Sequence, residues 1–238
     1  NNVSAVNLLN IKRIGRRNNN MQWVKLPPKI YFERNSIRYL RDMKEMKKAM
    51  IVTDRGMYDL GYVGKIEDVI KRRRNKVDVD LFIDVEPDPS LDMTLKGLEI
   101  MKSFQPDTII AIGGGSSMDA AKVMWLMYEH PEVNFDDIKQ KFMDIRKRAF
   151  KFPELGKKAK LVCIPTTSGT GSEVTPFAVI TDEKSGIKYP LADYQLLPKM
   201  AIVDTDMHMT APKGLTAASG VDALTHALEA YASIMATD

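Results

Sequence analysis

Apolar and polar residues alternate along this chain in blocks whose period changes repeatedly between that of a strand and that of a helix. Residues 29–32 predict a short strand. Ala49-Met50-Ile51-Val52-Thr53 is an apolar run that stops at Asp54-Arg55-Gly56, and it predicts a buried strand followed by a turn. Residues 58–73 carry apolar side chains at helical spacing and predict one helix, whereas 77–85 alternate with the period of a strand. Pro87-Asp88-Pro89-Ser90 predicts a turn with Ser90 as the N-cap of a helix over 91–104. Thr108-Ile109-Ile110-Ala111-Ile112 predicts a buried strand running into Gly113-Gly114-Gly115-Ser116-Ser117, with a helix from Met118 to about Glu129. A basic, partly helical excursion covers 131–158, and a short strand follows at 161–164. Residues 165–173 form a Gly/Ser/Thr loop. Two runs, 177–181 and 187–191, flank Asp182-Glu183-Lys184-Ser185-Gly186 as a hairpin. The last strand is 200–203, and the chain reads as helical after Pro212.

Strands that alternate with helices, several of them apolar on both faces, imply an α/β fold with a mainly parallel sheet. The expected organisation is a linker over 1–20, an α/β nucleotide-binding domain over 21–218, and over 219–238 the first helix of an all-α, metal-binding domain. The rest of that domain is expected to lie beyond Asp238.

At 238 residues, with a hydrophobic fraction of 44% and a charged fraction of 28%, the composition is that of a soluble globular protein. A single cysteine, Cys163, excludes a disulfide framework within the chain and points to a reducing, cytoplasmic setting. No secretory signal and no membrane-length apolar run is present. The net charge of +4 gathers at Lys12, Arg13, Arg16 and Arg17, at 71–74, and at Arg146, Lys147, Arg148, Lys151, Lys157 and Lys158. These runs lack interleaved aromatics and sit close to acidic residues, so solvated helix faces are expected in preference to a nucleic-acid or membrane surface.

Ligands of open parallel sheets bind at the C-terminal ends of the strands, and three loops here are suited to that. The glycines of 113–117 let the backbone approach a phosphate, and the following helix aims free N–H groups at it. The same residues also make a tight turn capped by Ser116, with Asp119 completing a capping box. Asp54, just past the first strong strand, can bond a ribose hydroxyl and repel a 2′-phosphate, or simply bond its own turn. Thr166-Thr167-Ser168-Gly169-Thr170-Gly171-Ser172-Glu173 is rich in hydroxyls and poor in bulk, which suits sugar and phosphate oxygens as well as a polar surface loop. Lys188, on a predicted strand, can reach a nucleotide or stay solvated. Asp222 and His226, four apart in a helix-forming run, share one helical face and can hold Fe²⁺ or Zn²⁺, or form an ordinary pair on a half-buried helix.

Taken together, Ala111-Ile112-Gly113-Gly114-Gly115-Ser116-Ser117-Met118-Asp119-Ala120-Ala121-Lys122, the loop 166–175 and Gly220-Val221-Asp222-Ala223-Leu224-Thr225-His226 resemble the iron-dependent (group III) alcohol dehydrogenases. Met124-Trp125-Leu126-Met127-Tyr128-Glu129-His130-Pro131-Glu132 and Phe142-Met143-Asp144-Ile145-Arg146-Lys147-Arg148 narrow the resemblance to the alcohol dehydrogenase half of bifunctional aldehyde-alcohol dehydrogenases. The resemblance implies an α/β nucleotide domain and a helical metal domain. It implies that Gly114, Gly115, Ser116 and Ser117 hold the NAD pyrophosphate, that Asp54 selects NAD over NADP, and that Asp119, Thr166, Thr167, Thr170 and Lys188 contribute to the cofactor site. Asp222 and His226 match the first two metal ligands, and the other two are histidines expected further downstream. The implied reaction is metal-assisted hydride transfer between NAD(H) and a small aldehyde/alcohol pair such as acetaldehyde and ethanol, in a likewise implied homo-oligomer with an aldehyde dehydrogenase half on the same polypeptide. A glycerol or diol dehydrogenase of the same superfold, or a silent nucleotide-binding or assembly module, remains an alternative.

Overall fold

The computed structural model describes residues 25–138 and 152–233. The linker expected over 1–20, most of the basic stretch within 131–158 and the end of the helical tail lie outside the described residues. In chain order the elements are β1 (Ile30–Phe32), α1 (Tyr39–Asp42), β2 (Lys48–Val52), α2 (Arg55–Asp59), α3 (Tyr62–Lys71), β3 (Asp78–Phe82), α4 (Leu91–Phe104), β4 (Thr108–Gly113), α5 (Gly115–Glu129), α6 (Phe135–Ile138), β5 (Lys160–Pro165), β6 (Phe177–Asp182), β7 (Ile187–Ala192), β8 (Met200–Val203) and α7 (Lys213–Ala232).

Six strands form one sheet in the order β1-β8-β5-β4-β2-β3, and every neighbouring pair is parallel. The reason is written in the pleat. Met50, Val52, Ile109, Ala111, Leu161 and Cys163 enter one apolar cluster, and the alternate residues Ala49, Ile51, Ile110, Ile112, Val162 and Ile164 enter another. A sheet buried on both faces needs helices on both, and parallel crossovers supply them. Helices α4, α5 and α6 cover the first face, and α1 and α3 cover the second. The antiparallel hairpin β6–β7 stands outside the sheet and packs Ala178, Ile180 and Leu191 into the α5 cluster around Trp125. Among the described residues no helix is long and apolar enough to cross a membrane.

The parallel sheet, the hairpin and the Ser90 cap agree with the sequence reading; Ser90 Oγ accepts from Met93 N at 3.1 Å. Three details differ. The single helix expected over 58–73 is two, because Gly61 sits at φ 77° and breaks the run between α2 and α3. Helix α5 begins at Gly115 with Gly114 as its N-cap, so Ser116 is inside the helix and the Ser116/Asp119 capping box does not form. Finally, α7 begins at Lys213, so a domain boundary at 218/219 falls within one continuous helix.

Cys163 is fully buried in β5, and burial pushes its thiol up to about 12. Thiolate is the reactive form. We therefore expect no reaction with a thiol-titrating disulfide reagent at pH 8 in the native chain and one equivalent in denaturant; rapid native labelling would show that β5 is not held in the core.

Candidate functional site

The chain leaves β2 toward β3 on one side and then returns to place β4 on the other, which makes the gap between β2 and β4 a topological switch point. Adjacent strand ends that send their connections to opposite faces leave a crevice there, and the sequence-selected residues converge on it. Thr53 closes its floor: its N donates to Phe82 O at 2.8 Å and its Oγ1 to Ile112 O at 2.7 Å. Asp54 follows as the N-cap of α2, where Oδ1 accepts from Met57 N at 3.0 Å. The turn reading of Asp54 is thus correct, and it leaves Oδ2 facing the glycine turn, 3.3 Å from where a Cβ on Gly113 would lie.

Across the gap, Gly113 adopts φ 140°, and a Cβ there would come within 2.6 Å of Ser117 Oγ. Its carbonyl accepts from Thr166 N at 2.9 Å, which ties the end of β4 to the start of the hydroxyl-rich loop. Helix α5 then opens with no side chain on its N-cap, so its first-turn N–H groups keep their positive end unfilled by the protein. The loop 166–175 folds over this end. A Cβ on Gly115 would lie 3.0 Å from Thr170 Cγ2, and one on Gly114 would lie 3.7 Å from Thr167 Oγ1. The two glycines therefore play different parts. At Gly115 the protein itself occupies the space a side chain would need. At Gly114 a Cβ would meet only ordinary contact, and the first-turn amides of Gly114 to Ser117 carry no side-chain cap. An uncapped helix end, a glycine whose Cβ would meet only ordinary contact and flanking threonine hydroxyls fit a pyrophosphate.

Asp119 does not join this cradle. Its Oδ1 accepts from Ser172 Oγ at 2.7 Å and its Oδ2 from Val179 N at 2.9 Å. Both oxygens are committed to holding the loop and hairpin, and a helix residue one turn past the N-terminus points back along α5. Lys188 lies on β7 opposite Thr181 and pairs with Asp88 Oδ1 at 2.8 Å, in the turn that follows β3. The sequence reading gave Lys122 no role, yet it is fully buried and bonded to the loop. The signal was available: apart from Asp119, it is the one charged residue in the apolar stretch from Met118 to Met127.

Asp222 and His226 share a face of α7, with His226 Nε2 and Asp222 Oδ1 3.7 Å apart and both side chains about half exposed. Among the described residues no third His, Cys, Asp or Glu joins them in a metal-ligating group. His130 bonds Glu132 and Glu154 O through its two ring nitrogens, and His208 Nδ1 bonds Asp204 O. The two donors fit one edge of a metal site and do not close it. Helix α7 also touches the hydroxyl-rich loop: a Cβ on Gly169 would fall 2.6 Å from Ser219 O, so the loop and this helix meet at backbone contact.

Residues 27–205 match the sequence profile of the iron-containing alcohol dehydrogenases. The whole chain is 63% identical over 237 residues to aldehyde-alcohol dehydrogenase 2 of Entamoeba histolytica, of which it covers 27%. It is 49% identical over 211 residues to the NADPH-dependent butanol dehydrogenase of Clostridium saccharobutylicum, covering 88% of this chain and 52% of that one. Among solved structures, an iron-containing alcohol dehydrogenase of Thermococcus thioreducens superposes with a TM-score of 0.78 at 32% identity, over 89% of this chain and 53% of that one. The chain thus spans about a quarter of the length of the aldehyde-alcohol dehydrogenases it matches. With the profile covering most of its length, and the fold and glycine turn in agreement, the chain belongs to the iron-containing alcohol dehydrogenase family.

Proposed function

We propose that this chain is the nucleotide-binding part of an NAD(H)-dependent alcohol dehydrogenase that reduces a small aldehyde such as acetaldehyde in fermentation. In this reading it works in the cytoplasm within a bifunctional, homo-oligomeric polypeptide that also carries an aldehyde dehydrogenase half. The observation that carries the reading is the cradle at the β2/β4 switch point. There the amides of Gly114, Gly115, Ser116 and Ser117 meet the pyrophosphate, Thr166, Thr167 and Thr170 line it, and Asp54 receives the adenosine ribose. Lys188 adds a cation that can exchange Asp88 for a cofactor oxygen. When bound, NAD(H) supplies the hydride; the chain's own work is to fix the dinucleotide and aim its nicotinamide toward the α7 side of the crevice. Asp222 and His226 would supply two donors toward iron or zinc, and alone they do not enclose a metal.

Asp54 gives the test. A carboxylate beside the ribose repels a 2′-phosphate, so the chain is expected to bind NADH at least about tenfold more tightly than NADPH. Asp54→Gly keeps an acceptable N-cap for α2, at a cost of a few tenths of a kcal/mol, and should bring the two affinities together. Fluorescence titration of both nucleotides measures it. Equal affinities in the unsubstituted chain would remove Asp54 from the cofactor site and ally this chain with the NADPH-dependent relative.

A further inference from the structure

Helix α5 turns two ionisable side chains inward. Lys122 has no exposed surface. Its Nζ donates to Phe177 O at 2.6 Å, Ser172 O at 2.7 Å and Thr175 O at 3.0 Å, and lies 2.9 Å from Ser172 Oγ. An ammonium has three hydrogens, so these four acceptors saturate it. The Ser172 hydroxyl passes its own hydrogen to Asp119 Oδ1, and Asp119 Oδ2 takes the N–H of Val179. The charges thus meet through Ser172, and each is fully hydrogen-bonded.

All of these partners belong to one stretch, residues 172–179. None belongs to the six-stranded sheet or to another α-helix. A buried ion pair is a poor way to gain stability, since well-packed apolar residues of the same volume usually serve as well or better. Burial pushes the Asp119 carboxyl up and the Lys122 ammonium down, each opposed by the other's charge. What the pair does supply is direction. It fixes the far end of the 166–175 loop, while Thr166 N on Gly113 O fixes the near end. Between these two anchors stand Thr167 and Thr170, facing Gly114 and Gly115.

We propose that Lys122, with Asp119 as its counter-charge, is a positioning residue for the cofactor cradle, holding the threonine loop at the distance from α5 that a pyrophosphate requires. This rests on the reading that the cradle holds the NAD pyrophosphate. Lys122→Met preserves length and apolar bulk while leaving three loop acceptors without their donor. Asp119→Asn keeps the shape and removes the charge.

The test compares NADH dissociation constants and melting temperatures of the 238-residue chain carrying Lys122→Met, Asp119→Asn, Gly114→Val or Leu126→Ala. Leu126 is buried on the same helix, eleven residues past its first residue Gly115, and its truncation destabilises the core. Lys122→Met is expected to raise the dissociation constant about tenfold or more, and Asp119→Asn severalfold. Leu126→Ala should lower the melting temperature at least as much and leave NADH affinity within about twofold. Affinity that follows melting temperature across all variants would overturn the positioning role. Undisturbed affinity in Lys122→Met, beside a loss in Gly114→Val, would overturn it while sparing the cradle. Undisturbed affinity in Gly114→Val as well would take down the cradle reading itself. Should Lys122→Met fail to fold, Asp119→Asn decides the matter: unchanged affinity there overturns the proposal.

Discussion

Replacing Gly114 with valine is expected to weaken NADH binding by about two orders of magnitude while the chain keeps its fold. The three glycines of the turn are not equivalent probes. Gly113 stands at a positive φ and would drive a Cβ to 2.6 Å from Ser117 Oγ, so substitution there strains the backbone. At Gly115 a Cβ meets Thr170 at 3.0 Å, so the loop itself must shift and any loss of binding is ambiguous. Gly114 has φ −80° and ψ −171°, a conformation open to any residue, and the nearest atom to its Cβ is at 3.7 Å. A valine there fills the space the cradle leaves and holds the pyrophosphate off the helix amides. Losing two hydrogen bonds to a charged group, at about 1.5 kcal/mol each, corresponds to about a hundredfold in affinity. Fluorescence titration with NADH reads the affinity and circular dichroism the melting temperature. A bound nucleotide of ordinary affinity in the variant would place the pyrophosphate elsewhere.

The second large effect concerns α7. None of its described residues is buried, and Val221, Leu224, Leu228 and Tyr231 are all more than half exposed. Their spacing of three and four puts them in one stripe along the helix. Burying each leucine is worth about 1.5–3 kcal/mol, so the 238-residue chain in isolation is expected to associate through this stripe as concentration rises. Leu224→Lys combined with Leu228→Lys should return it to a single-chain mass in sedimentation or light scattering. Association that persists unchanged would assign the contact to another surface. On the adjoining face, Asp222 and His226 offer two ligands where stable sites use three or four. Dialysed chain is therefore expected to retain well under one equivalent of iron or zinc and to show no turnover of ethanol with NAD⁺. Stoichiometric metal with turnover would contradict this and require a third ligand; His208, whose Nδ1 is already bonded to Asp204 O, would then have to bind through its other ring nitrogen.

The sheet was legible because its pattern is redundant. Strands buried on both faces, such as 108–113 and 160–165, are short unbroken apolar runs between turn residues, and a few residues of error do not change their identity. Helix ends were less legible. Gly61 divides a run whose apolar period continues across it, and the start of α5 depends on whether Gly114 or Ser116 takes the cap, which spacing alone does not decide. The same limit applied at the site. Residues in loops after strands could be listed from the sequence, since their place at the strand ends follows from topology. What each one touches could not. Asp119 and Thr170 lie in two motifs some fifty residues apart, and only the folded loop shows one turned inward to Ser172 and the other laid against Gly115. Lys122 was visible as part of the glycine-turn motif but could be given no role, because its partners are mostly backbone carbonyls, which leave no trace in composition.

The sheet order also bears on how the chain is made. Among the described residues strand β1 has one neighbour, β8, and Ile30 pairs with Ala201. As the polypeptide leaves the ribosome, β2, β3 and β4 can find one another early, and β5 soon after. Within the described residues, the first strand of this sheet must wait for the last. Until β8 arrives, Tyr31 and the apolar side chains of α1 lack a finished surface to settle on, and long-range parallel pairing of this kind is slow to close. Nascent chains halted before residue 200 should therefore hold a protease-resistant centre with a cleavable leading segment. Release of a few more residues should be enough to protect it.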